Sequence, residues 1–169
     1  MIRSESFWDI RDTGLGSWVW RKLLKLRETA KQFLSTEVHN GQTTRFWTDM
    51  WHPRGRLIDI AGESGTFKLG IARSALICDV RNEAGWGFRR CRDRDMRELI
   101  SLVEDHPLPE NRQAQDAVLW RKNDTDFCKH FSTSETWHRI RTHYPSQDWS
   151  KVVWFSYRVP RFAFITWLA

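Results

Sequence analysis

Residues 16–51 read GSWVWRKLLKLRETAKQFLSTEVHNGQTTRFWTDMW, and the change of period within this stretch decides the fold class. After the hydroxyl of Ser17, the side chains of Val19, Leu23, Leu26, Ala30 and Phe33 recur at the three- and four-residue spacing of one helix face, with Lys22, Lys25, Arg27 and Lys31 between them. The spacing predicts a helix beginning at Trp18. Asn40-Gly41 then stands between two short β-tolerant runs, and an Asn-Gly pair accepts the positive φ angles of a type I′ turn, so a hairpin is expected there. Trp47 and Trp51 lie on or just beyond its second strand.

Downstream, residues 53–70 (PRGRLIDIAGESGTFKLG) are rich in glycine and turn residues and read as an irregular connection. ARSALICDV can form about two helical turns, and RDRDMRELISLVEDH places Met96, Leu99, Ile100 and Val103 on one face before Pro107 and Pro109 end it. A second hairpin is predicted from Ala117–Lys122 and Phe127–Phe131 about Asn123-Asp124. Ser132 or Thr133 can cap a helix that carries Trp137 and Ile140 and stops at Tyr144-Pro145, and Pro160 stands near the start of a last helix. The sum is a mainly helical α+β fold of five or six helices with two small β-hairpins, incomplete at its C-terminal edge. No repeat of 20–50 residues and no low-complexity linker interrupts it.

The 169 residues are enough for a core of their own, and 40% apolar with 28% charged residues is a globular balance. Eleven Trp against two Tyr is the anomaly. Lys and Arg exceed Asp and Glu by 27 to 21, and the excess sits at the ends: residues 1–56 carry 10 basic against 6 acidic, 57–115 carry 9 against 10, and 116–169 carry 8 against 5. A basic balance suits polyphosphate partners without identifying one. Cys78, Cys91 and Cys128 are odd in number and irregularly spaced, which argues against a secreted disulfide framework and for a reducing, intracellular setting. No signal peptide and no membrane span is legible, since Lys151, Arg158, Pro160 and Arg161 break the apolar final stretch.

Chemistry-bearing constellations are sparse. Cys128, His130, His138 and His143 are the nearest grouping to a zinc site, but the first pair lacks the knuckle turn that aims two ligands at one ion. No G-x-S-x-G, P-loop or G-x-G-x-x-G occurs, and Asp93/Asp95 and Asp124/Asp126 read as solvated and turn carboxylates, so no catalytic residue and no small-molecule substrate is assigned. Arg89, Arg90, Arg92, Arg94 and Arg97 form a cluster whose guanidinium forks suit phosphate, whereas Asp93, Asp95 and Glu98 are interleaved to pair with them along a helix. Lys22 and Lys25 add cations on the first helix. The tryptophans could stack on bases, yet Trp18, Trp20, Trp120, Trp137, Trp154 and Trp167 are spaced for burial, and core is the favoured reading.

Taken in order, residues 16–51, then LIDIAG, FSTSETWHRIR and WSKVVWFSYRVPRFAFITWLA, the sequence resembles the region behind the polymerase in plant non-LTR (LINE-type) retrotransposon reverse transcriptases. The resemblance covers nearly the whole chain. Its most specific parts are the Trp-rich helix with Trp18 and Trp20 leading into the Trp47 and Trp51 motif, and the terminal W-x₄-W-x₅-P-x₃-F-x₂-W pattern of Trp149, Trp154, Pro160, Phe164 and Trp167.

By that resemblance, residues 1–115 are a connector and residues 116–169 open a reverse transcriptase zinc-binding domain. In the family a Cys-x-x-Cys and later His and Cys follow; here the sequence stops at Ala169, so zinc is expected only if the chain continued, and a truncated element or partial gene is implied. Polymerase, endonuclease and ribonuclease H motifs are absent from the sequence. The resemblance implies a non-catalytic piece that binds RNA or DNA weakly, with the remainder of the polyprotein as a further partner and the nucleus as its place of work. The rival expectation is a domesticated interaction module that docks a protein through Phe162, Phe164 and Trp167.

Overall fold

The computed structural model of the chain describes residues 6–10, 14–82, 85–109, 113–145 and 147–168. Two compact units are formed, residues 1–132 and 133–169. Ala169, after which the zinc ligands of the resembled family would come, lies outside the described residues.

Ser17 caps the first helix as its hydroxyl allows, accepting the Trp20 N–H at 3.2 Å, and α1 runs Trp18–Lys25. The helix then breaks. Helix α2 covers only Arg27–Lys31, and strand β1 follows at Leu34–Glu37, because Phe33 turns into the interior and β1 pairs antiparallel with β4 (Ala117–Arg121). Leu34 faces Trp120 and Glu37 faces Ala117 in the register, while the Phe33 ring stacks on Trp120 at 5.6 Å. Of the expected apolar face of α1, Val19, Leu23 and Leu26 are exposed and Leu24 is buried instead.

The Asn40-Gly41 turn exists, but its hairpin does not. Gly41 has φ +68°, and a Cβ there would stand 2.8 Å from the Cys78 amide nitrogen, so the turn needs glycine for both conformation and close approach. The strand before the turn is taken by β4, and the segment after it contributes a single bridge, Arg45 to Leu76. What holds the turn is Asp116: its carboxylate accepts the N–H groups of His39, Gly41 and Thr43 and the hydroxyls of Thr43 and Thr44. Burial alone would raise this carboxyl; the hydrogen bonds outweigh it and hold the pKa below its ordinary value.

Residues 53–70, expected to be irregular, form helices α3 (Leu57–Ala61) and α4 (Ser64–Leu69), which bury Leu57, Ile58 and Leu69. Helix α5 (Ile77–Val80) is a single turn rather than two. A two-stranded ribbon of β2 (Arg81–Asn82) and β3 (Gly85–Trp86), not anticipated from the sequence, leads to α6 (Arg94–Glu104). In α6 the expected face is the buried one: Met96, Leu99 and Val103 enter the core, with Ile100 packed at its edge. Asp93 caps this helix by accepting the Met96 N–H.

Phe46, Trp47 and Trp51 form the centre of this core with Ile71, Ile77 and Val80. Each buried indole satisfies its one donor, Trp47 on the Ile71 carbonyl at 3.1 Å and Trp51 on the Phe46 carbonyl at 2.9 Å. The hairpin of β4 and β5 (Phe127–Cys128) forms about Asn123-Asp124 as expected, with the Asn123 side chain accepting the Thr125 and Asp126 N–H groups. It completes a three-stranded sheet in the order β1-β4-β5. Residues 117–128 thus share a sheet with Leu34–Glu37.

The second unit holds α7 (Thr133–Ile140), α8 (Ser150–Val153) and α9 (Pro160–Leu168). Pro160 is the first residue of α9, where a missing N–H costs nothing. Among its described residues only Thr136, Val153 and Ala163 are buried. Trp137, Trp154 and Trp167, expected on buried faces, are exposed, as is Ile140. The structure is α+β and mainly helical, with nine helices among the described residues, five of them no longer than six residues.

Candidate nucleic-acid interface

Helix α1 carries no acidic residue. Trp18, Arg21, Lys22 and Lys25 follow one another at i, i+3, i+4 and i+7, which sets them on one face, and all four are exposed. Trp18 is 66% exposed, contrary to its expected burial, and the Lys22 ammonium lies 5.4 Å from the centre of its ring. The sequence-predicted Lys22 and Lys25 therefore belong to a cationic face with an aromatic at its start. Arg21 and the open ring of Trp18 were missed in the sequence, although the absence of any carboxylate from Trp18 to Lys25 signals such a face.

Not every nearby cation belongs to it. Arg27 donates from Nη1 to the carbonyls of Phe7, Trp8 and Ile10, at 3.2, 3.1 and 2.6 Å, and so fastens the N-terminal segment. Asp9 of that segment is paired with Arg56 and Arg73. Trp20 packs edge-on against Phe7 at 6.0 Å and is half-buried.

The second cationic group is Arg89, Arg90 and Arg92, in the segment between β3 and α6, and all three are exposed. Interleaved acids offered them internal partners. The structure uses two of those acids elsewhere: Asp93 bonds Lys68 at 2.6 Å and caps Met96, and Glu98 pairs with Arg94 at 2.9 Å. The Lys68 bond, followed by the Met96 N–H, holds the Asp93 carboxyl below its ordinary range. Among the described residues no carboxylate pairs with Arg89, Arg90 or Arg92. Arg89 also borders an open cleft of about 650 Å³ lined by Ser74, Asp79 and Phe88.

The remaining motif residues divide by unit. Trp47 and Trp51 are core. In the second unit Trp149 and Trp154 flank α8, with the Arg158 guanidinium 5.2 Å from the Trp154 ring, and Phe164 lies 5.9 Å from Trp167 on α9. The Cys128 thiol approaches the carbonyls of Trp120 and His130, at 3.6 and 3.0 Å. Among the described residues no group of three or more His, Cys, Asp or Glu is placed to hold a metal ion, and no helix is long and apolar enough to cross a membrane.

No protein-family model matches this sequence, and the comparisons with curated proteins and with solved structures return no match either.

Proposed function

We propose that the chain is a non-catalytic piece of a plant LINE-type reverse transcriptase, a connector that holds RNA or DNA weakly by its phosphates. The observation that carries this reading is the set of Arg89, Arg90 and Arg92, exposed while Asp93 is engaged by Lys68 and the α6 cap and Glu98 by Arg94. Uncompensated arginines attract phosphate and release counterions, so binding of this kind weakens with salt. The cationic face of α1 supports the same reading, as does the family resemblance of the Trp motifs. Catalysis is assigned to no residue in it.

The test is binding to a single-stranded RNA across a salt series. Wild-type protein should bind with log K falling linearly in log salt, and replacing the three arginines by alanine should weaken binding and flatten the slope by about 0.7 for each phosphate that is no longer neutralised. An unchanged affinity and slope in the variant would overturn the reading.

A second reading has its own observation. Phe162, Phe164 and Trp167 are all exposed on α9, which suits a protein partner held by apolar contact. Salt-insensitive association abolished in Phe164→Ser and Trp167→Ser, with RNA binding absent, would favour this interaction module.

A further inference from the structure

A cleft of about 440 Å³ in the first unit lies against β1, the Met50–Pro53 segment, the His106–Pro109 segment and the β4-β5 hairpin. This is the size of an ordinary small-molecule site, and its walls include Leu34, Trp51, Leu108 and Phe127. Three charged side chains line it, and they are not equivalent. Lys31 is paired with Glu28 at 2.8 Å, and the Glu37 carboxylate, 39% exposed, lies 3.5 Å from the His39 imidazole, an ion pair only when that ring is protonated; neither partner lines the cleft. Arg121 is the exception. Its guanidinium lies 5.1 Å from the Phe127 ring, its Nε is buried with no acceptor, and among the described residues no carboxylate pairs with it.

The two imidazoles on the wall supply no second cation at neutral pH. His52 accepts the Arg54 N–H at Nδ1, which leaves Nε2 protonated toward the Leu102 carbonyl, the neutral form. His106 stands edge-on to His52 with ring centres 5.1 Å apart, and burial lowers its pKa.

We infer that this cleft binds a small, flat, apolar monocarboxylate, its ring against the Trp51 and Leu108 wall and its carboxylate on Arg121. The Arg121 Nε is itself out of a ligand's reach, so the carboxylate meets the terminal guanidinium nitrogens at the cleft, the fork that arginine offers a carboxylate. A phosphate monoester fits less well, because its charge of about −1.5 to −2 exceeds the single unpaired cation. The site is separate from the cationic faces assigned to nucleic acid, and it stands or falls independently of them.

Calorimetric titration of the full chain with 2-naphthoate, against its neutral counterpart 2-naphthalenemethanol, tests it. The carboxylate should bind about tenfold or more tightly than the alcohol, and Arg121→Gln should bring the two together. Gln32→Trp, at an exposed position on the cleft rim, should weaken both ligands without touching the core. Circular dichroism and a urea midpoint establish that each variant is folded. Equal affinities for acid and alcohol in the wild-type protein would overturn the inference, as would a folded Arg121→Gln variant that keeps the preference.

Discussion

The Asp116 carboxylate accepts the Gly41 N–H at 2.9 Å, so the residue before β4 closes a turn that β1 leads into. Four further hydrogen bonds from His39, Thr43 and Thr44 converge on the same side chain. Asp116→Ala leaves several of these donors without an acceptor, and a loss of about 2–4 kcal/mol is expected. Urea unfolding measures it; a change under about 0.5 kcal/mol would show that the turn stands without the carboxylate.

Gly65 predicts a steric effect. A Cβ there would come within 2.5 Å of the Ala61 Cβ and 3.4 Å of the Trp47 ring. Helix propensity favours alanine at such a position by about 1 kcal/mol, but the collision opposes it, and Gly65→Ala should cost about 1–3 kcal/mol net. Thermal unfolding read against wild type decides the sign.

A pair of truncations separates the two units. Leu99→Ala opens a cavity beneath α6 and should cost about 2–5 kcal/mol, whereas Ile165→Ala, on the exposed surface of α9, should stay within about 0.5 kcal/mol. Equal effects in urea midpoints would contradict the burial described for α9.

Acid should weaken the first unit in two stages. Burial depresses His52, with the neighbouring His106 adding to it, and burial depresses His106, each from an ordinary 6.5. Below pH 6.5 the unfolded chain therefore binds more protons than the folded one. Stability is full above that pH, falls as acid is added, and levels out beneath the folded values. Asp116 acts in the same direction in stronger acid, its stabilisation present above the ordinary 3.8 and lost as pH falls through the lower folded value. Asp49, raised by burial, has the opposite sign and acts at higher pH, its contribution growing as pH falls through the raised folded value toward 3.8. His52→Gln with His106→Gln should flatten the dependence of urea midpoint on pH between about 7.5 and 5; an unaltered slope would assign it to other groups.

The α1 face gives a kinetic and equilibrium prediction together. Lys22→Glu with Lys25→Glu should lower both the association rate and the salt slope for single-stranded RNA while leaving the urea midpoint unchanged, since both side chains are exposed. Filter binding and stopped-flow mixing read the two quantities.

Helix α6 and the β4-β5 hairpin were legible in the sequence because their signals are local: an Asp cap before a 3.6-residue apolar period, and an Asn-Asp turn between short strands. The missing hairpin about Asn40-Gly41 has a non-local cause. Leu34–Glu37 does form a strand, but β4 supplies backbone partners that no local reading contains. The short helices α3 and α4 escaped because glycine-rich composition masks buried Leu57, Ile58 and Leu69. At the candidate interface the cations were readable, and their pairing was not: whether Asp93 serves Arg92 or Lys68 depends on where α4 lies.

The second unit buries just Thr136, Val153 and Ala163 among its described residues, too little apolar area to offset the ordering entropy of three helices. The heat-capacity step on melting should then be that of a chain nearer 132 residues than 169, at roughly 12–15 cal/mol/K per residue. Calorimetrically, α7, α8 and α9 should add little to the transition that the first unit carries.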